Sequence, residues 1–330
     1  MKDPYQEGEE MAAAQGLKYI GTRPVRPDGL EKVTGRANFG ADHAMPGMLH
    51  GKVVRSPHAH ARIRSIDTSA AAAIPGVLAV ITAGDFPDRS KFSFGRKGFN
   101  ENLLASDKVL YHGHAVAAVA ATSNQAAQAG VAAVVVDYEV LEPVTDALQA
   151  MRPNAPLLHE DLITQGLAEP PTEPSNVSRQ QVISKGDVDA GFAEADEIVE
   201  RTFITPMVHQ GYIEPHACVG NFNEDGQATV WCSTQGHFGV RSMTAMAMGM
   251  DEGDIRVIAS EIGGGFGGKT TIYLEPLALK LSQKSGRPVK MVMTREDVFR
   301  ATGPASGTVN TVKIGCKRDG TIVAMYAKLI

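Results

Sequence analysis

The chain has 330 residues, of which 43% are hydrophobic and 21% charged, a globular composition that excludes intrinsic disorder and predicts two domains with cores. A formal net charge of -5, with no basic run and no interleaving of basic and aromatic residues, excludes the footprint of a nucleic-acid-binding protein. No apolar stretch reaches the length of a membrane span, and the opening MKDPYQEGEE is too acidic and polar for a signal peptide, so a cytoplasmic chain is expected.

Residues 1–17 read as a flexible tail. The stretch 18–145 begins with turn-rich RPVRPDGLEKVTGRANFGAD. Alternating apolar residues then predict strands at 48–55 and 62–66, a short helix at 68–74, strands at 77–82 and 115–121, a helix at 123–132 and a strand at 133–140. The H-x-H pairs His58 with His60 and His112 with His114 each lack a third ligand nearby, and a metal site is not the expected reading. Pro153, Pro156, Pro170, Pro171 and Pro174 mark 146–185 as an extended connection that separates domains or wraps a surface.

The second domain, 186–330, opens with a helix and a strand at 198–204. In MVHQGYIEPHACV, His209 and His216 flank Glu214, but Pro215 disfavours the single helical face of an H-E-x-x-H metal site. Glu214 is instead read as a buried or ligand-facing carboxylate at a strand start. A strand at 229–233, a polar turn at Gln235 and Gly236, and a helix at 237–248 follow. Met243, Met246, Met248 and Met250 are read as core filler. Cys218, Cys232 and Cys316 form no C-x-x-C pair, which argues against zinc, an iron-sulfur cluster or a disulfide framework held by this chain.

A third unit runs from a strand near Ile255 through GGGFGGK to a helix that begins near Glu275, carries Pro276 in its first turn and stops at Gly286. Five glycines between 263 and 269 remove Cβ atoms and permit positive φ, an entropic cost that points to a ligand at the backbone. If the strands before Gln235 and before the glycines are parallel neighbours, both loops leave one sheet edge and converge on one ligand. An amide side chain beside a row of backbone N–H donors suits an oxyanion or a metal-oxo group. The rival is a nucleotide-binding P-loop, since GGGFGGKT fits G-x-x-x-x-G-K-[ST], but no apolar strand ending in an acidic magnesium ligand follows it. Strands over 307–330 surround the turn at Arg318, Asp319 and Gly320 and end in TIVAMYAKLI. That ending is expected to leave an edge and an apolar face exposed, in a chain that is either truncated or completed by a second polypeptide and is inactive alone.

On GTRPVRPDGLEKVTGRANFGAD, LHGKVVRSPHAHARI, VDYEVLEPV, HQGYIEPHA, WCSTQ and GGGFGGK, and on the spacing of the last between STQ and GRPVKMVMTRED, the sequence resembles the molybdenum-binding large subunit of the xanthine oxidase (molybdenum hydroxylase) family. The resemblance implies an α+β chain: an a/b hammerhead domain at 18–145, then an incomplete mixed α/β molybdopterin-binding domain at 186–330. It implies molybdenum-molybdopterin as cofactor, in the cytosine dinucleotide form. Gln235 would lie beside the molybdenum oxo ligand, and Gly264, Gly265, Phe266 and Gly267 would contact the cofactor, with no side chain of this chain ligating metal. The implied reaction oxidises an aldehyde, an N-heterocycle or a related electron-poor carbon with water-derived oxygen, and passes electrons to a [2Fe-2S] subunit and an FAD subunit. The general base would come from a second molybdopterin-binding region outside this chain. Thr270 stands where purine-oxidising members carry glutamate, which argues against a purine held in that way. A cofactor-free assembly module is the remaining alternative.

Overall fold

The computed structural model describes residues 14–87 and 101–330, so most of the expected tail at 1–17 lies outside the described residues. The described residues up to Asn38 form a unit of their own, holding helix α1 (Gly29–Thr34), which ends at Gly35 in the left-handed conformation.

From Phe39 onward the architecture follows from a run without a polar face. The segment AVAAVAA at 115–121 cannot border water on either side, and as a strand it is buried throughout. In chain order the elements are β1 (Leu49–Arg55), β2 (Ala61–Asp67), α2 (Ser69–Ala72), β3 (Val77–Thr82), β4 (Lys108–Val109), β5 (Ala115–Ala121), α3 (Asn124–Ala133), β6 (Val135–Val140) and α4 (Ala147–Ala150). They continue with α5 (Val188–Glu194), β7 (Glu197–Thr205), β8 (Ala217–Phe222), β9 (Ala228–Cys232), α6 (His237–Met248), β10 (Ile255–Ala259), α7 (Glu275–Ser285), β11 (Val289–Val292), α8 (Arg295–Ala301), β12 (Thr308–Cys316) and β13 (Ile322–Leu329).

Seven of these strands form one mixed sheet in the order β10-β9-β8-β11-β1-β5-β3. Its centre is the short strand β11, which runs parallel to β1 (Leu49 opposite Val289) and antiparallel to β8 (Gly220 opposite Val289). Strands from either side of 146–185 therefore share one sheet. Ala118 and Ala120 join the large core that contains Leu277 and Leu281 of α7, while Val119, facing the other way, packs with Ala71, Val80 and Val131. Helices thus cover both faces of β5. At Gly220 the backbone of α7 comes so close that an added Cβ would stand 2.8 Å from Leu279 N.

Two three-stranded sheets flank this one, β4-β2-β6 and β13-β12-β7. In the latter, Phe203, Ile204, Met325 and Leu329 are exposed. The proline-rich stretch is an ordered strap. Asn176 Nδ2 donates to the carbonyls of Ala150 and Pro156, its Oδ1 accepts from Leu158 N, and Glu160 pairs with Arg62 of β2 and Lys108 of β4. Met248 enters the core and Met243 and Met250 pack against it, as filler should, while half-buried Met246 does not join them.

A glycine-loop candidate active site

Strands β9 and β10 are parallel neighbours with Val230 opposite Val257, so the segments that follow them leave the same sheet edge. The first carries Ser233, Thr234 and Gln235; the second carries the glycines at 263–268. They interlock through one residue. The carbonyl of Lys269 accepts from Gln235 N at 2.9 Å and from Thr234 Oγ1 at 3.2 Å, and Gln235 Oε1 accepts from Gly267 N at 3.0 Å and Lys269 N at 3.2 Å. Gln235 therefore caps the loop amides with its carbonyl end, which leaves its NH₂ end to donate outward. Turn contacts from Gly268 N to Gly265 O (2.7 Å) and from Thr270 Oγ1 to Gly267 O (3.0 Å) complete the loop.

Each glycine has a physical reason, beginning with Gly263, where a Cβ would sit 2.7 Å from Glu214 Cβ. A Cβ at Gly265 would sit 2.5 Å from Gln235 Oε1, and one at Gly268 would sit 2.7 Å from the Tyr212 ring. Gly264 and Gly267 adopt φ of +98° and +88°. Between them Phe266 has φ 49°, the one positive value among described non-glycine residues, and the residue is 74% exposed. A bulky residue in the left-handed region at a loop tip is strained, and such strain concentrates at ligand clamps.

Below the loop Lys269 is 1% exposed, and its Nζ lies 2.6 Å from Glu214 Oε2 and 5.1 Å from the centroid of the Tyr212 ring. Glu214 Oε2 also accepts from Gly263 N at 2.7 Å. Burial pushes the Lys269 ammonium below its ordinary pKa, while Glu214 pulls the other way. This lysine points into the protein, where a P-loop lysine would point at phosphate. Glu214, its side chain 11% exposed, faces this buried lysine and stands ahead of β8, not within it.

A polar chain continues underneath. His209 Nδ1 accepts from Gly211 N, so its Nε2–H donates to Thr302 Oγ1 at 2.8 Å, and the Thr302 proton goes to Val298 O. Tyr212 OH bridges this threonine and the next histidine, 3.2 Å from Thr302 Oγ1 and 2.7 Å from His216 Nε2. Burial, reinforced by Lys269 and His209, pushes the His216 pKa down to about 3, so it stays neutral. Arg295 Nη1 donates to Tyr212 O at 2.8 Å and ties this segment to α8. Sequence reasoning did not pair Lys269 with Glu214, nor find Tyr212 or Thr302. For α8 a signal existed, the capping box of Thr294 with Asp297.

One histidine of each first-half pair takes a backbone partner. His60 Nδ1 bonds Glu142 O at 2.7 Å, and His114 sits between Leu110 N and Glu101 O. Among the described residues no group of three or more His, Cys, Asp or Glu could hold a metal ion. No helix of the described residues is long and apolar enough to cross a membrane. A cavity of about 660 Å³ borders the segment leaving the loop, lined by Thr271, Ile272, Tyr273, Phe299 and Tyr111.

Two family models fit the chain: an aldehyde oxidase and xanthine dehydrogenase a/b hammerhead domain over 34–142, and a molybdopterin cofactor-binding domain over 169–330. The fold is thus that of molybdopterin-binding oxidoreductase subunits. The carbon monoxide dehydrogenase large chain of Afipia carboxidovorans is 36% identical over 322 residues, which are 96% of this chain and 40% of the relative. The nicotinate dehydrogenase large molybdopterin subunit of Eubacterium barkeri is 33% identical over 310 residues, 94% of this chain and 69% of the relative. The solved structure of a reconstituted CO dehydrogenase from Oligotropha carboxidovorans matches with a TM-score of 0.80 at 32% identity, covering 99% of this chain and 41% of that one. The chain belongs to the xanthine oxidase, or molybdenum hydroxylase, family.

Proposed function

We infer that this chain is a molybdopterin-binding component of a molybdenum hydroxylase, and that Gln235 with Gly264, Gly265, Phe266 and Gly267 holds the cofactor. The observation that carries the reading is the loop itself. Gly265 keeps clear the space that Gln235 occupies, and strained Phe266 presents backbone at an exposed tip. The Gln235 NH₂ and the N–H groups of Gly264, Gly265 and Phe266, which Gln235 does not cap, fit an anionic cofactor with oxo groups, because N–H dipoles fixed in advance stabilise negative charge without reorganising. When bound, molybdenum-molybdopterin, proposed in its cytosine dinucleotide form, supplies two-electron oxidation of a substrate carbon.

The residues of this chain bind and orient. The Gln235 NH₂ donates toward the cofactor while its carbonyl is fixed by Gly267 and Lys269. The proposed substrate class is an aldehyde, N-heterocycle or related electron-poor carbon, with electrons leaving to [2Fe-2S] and FAD partner subunits in the cytoplasm. The chain spans 40% of the Afipia carboxidovorans relative, and the β13-β12-β7 sheet exposes Phe203, Ile204 and Leu329. Both facts support completion by polypeptide that carries the second molybdopterin-binding region. The nucleotide reading loses its main support because Lys269 is spent on Glu214.

Metal and pterin analysis of the purified complex tests this: stoichiometric molybdenum is expected, and a complete complex without it overturns the reading. In that complex Gln235→Ala should retain metal and lose turnover by about a hundredfold or more, the loss typical of one preorganised donor.

A further inference from the structure

Resting on that reading of the loop, we propose that Lys269 and Glu214 are positioning residues: a buried clamp that sets the loop amides and Gln235 in place before any cofactor arrives. The geometry is that of a closed bracket. Glu214 Oε2 holds the start of the loop through Gly263 N (2.7 Å) and its end through Lys269 Nζ (2.6 Å). Glu214 N also donates to Gly263 O at 3.2 Å, so the start is held twice. The backbone of Lys269 in turn carries Gln235, through its N–H to Oε1 and its carbonyl to Gln235 N. One residue therefore joins the interior carboxylate to the exposed amide.

A glycine-rich loop needs such a bracket, because glycine loses more conformational freedom on ordering than any other residue. Burying an ion pair is a poor way to gain stability, since desolvation offsets the attraction; its best-attested use is to fix one arrangement among several. The surroundings favour that use. Around Lys269 stand Tyr212, neutral His216 and the Arg295 guanidinium, so Glu214 is the acid that compensates the buried ammonium.

The test uses the full chain and reads the loop directly. Amide hydrogen exchange is measured for peptides covering 262–270, β9 and β10 in Lys269→Met, Glu214→Gln and the double variant. Each single change leaves a buried group without its partner and lowers overall stability; the double variant removes both charges and recovers part of that loss. Loop exchange at least tenfold faster than in the unaltered protein is expected in all three, with β9 and β10 unchanged in the double variant. A purely structural pair would let loop protection recover together with stability. Trypsin gives a second readout: Glu214→Gln should expose Lys269 and speed cleavage after it by at least tenfold. A loop that stays protected in the double variant, or a Lys269 that stays resistant in Glu214→Gln, overturns the clamp. If the loop loosens in the double variant while a complete complex of the unaltered protein holds no molybdenum, the clamp stands and the cofactor reading fails.

Discussion

Replacing Gly265 by alanine isolates the contact on which the site is built. The Gly265 backbone lies outside the positive-φ set, so alanine meets no backbone penalty there. Its methyl, however, would sit 2.5 Å from Gln235 Oε1 and 2.7 Å from Cδ, closer than real Cβ contacts. The exposed Gln235 side chain must swing away, which breaks its bonds to Gly267 N and Lys269 N. At about 0.5–1.5 kcal/mol net per neutral hydrogen bond, with water reaching the freed amides, the expected cost is about 1–2 kcal/mol. Gln235→Ala breaks the same bonds and should cost about the same. The decisive measurement is the double-mutant cycle by urea denaturation. In the Gln235→Ala background Gly265→Ala should cost almost nothing, a coupling of about 1–2 kcal/mol. Strict additivity would show that the methyl disturbs something other than Gln235 and would refute the argument.

Two further outcomes follow from burial. His216 is neutral in the fold, with its pKa pushed down to about 3, while an unfolded histidine takes a proton below about 6.5. The unfolded state therefore binds the extra proton as pH falls, and stability is lost between about pH 6.5 and 3, at up to about 1.4 kcal/mol per pH unit. His216→Gln should flatten the pH dependence of unfolding free energy by close to one proton between pH 6 and 4; an unchanged slope would show that His216 is already charged in the fold. Burial also raises the thiols of Cys218 and Cys232, which face each other across β8 and β9, whereas Cys316 is partly exposed. A thiol reagent should modify Cys316 first, with the other two reacting only in denaturant. Rapid modification of all three in the native protein would contradict this packing.

Local structure was legible wherever a period was long enough to read. AVAAVAA at 115–121 could only be a buried strand, and Gly249 and Gly286 mark the helix ends they terminate, both in left-handed conformation. The parallel pairing of β9 with β10 was also within reach, since strand, polar turn and helix precede strand, glycine loop and helix. What escaped was short or distant. VKMV at 289–292 is too brief for its alternation to be counted, yet it joins β8 to β1. The direction of the Lys269 side chain is set by a carboxylate 55 residues earlier, and no local pattern separates a lysine facing inward from one facing phosphate. The same string GGGFGGKT serves either geometry, so only the partner of its lysine decides.

The place of β11 has a consequence for how the chain is made. From Leu49 to its partner Val289 is 240 residues, and at about 5–20 residues per second a ribosome needs roughly 10–50 s to synthesise that interval. For all of it β1 keeps one edge without its neighbour, even once β5 has been made and can pair with the other. The nascent chain therefore waits with an open, alanine- and valine-rich sheet until a four-residue strand arrives to seal it. Pairings this distant in sequence form slowly. Yield in a heterologous host should consequently respond more to chaperone supply and slowed translation than to substitutions at the glycine loop.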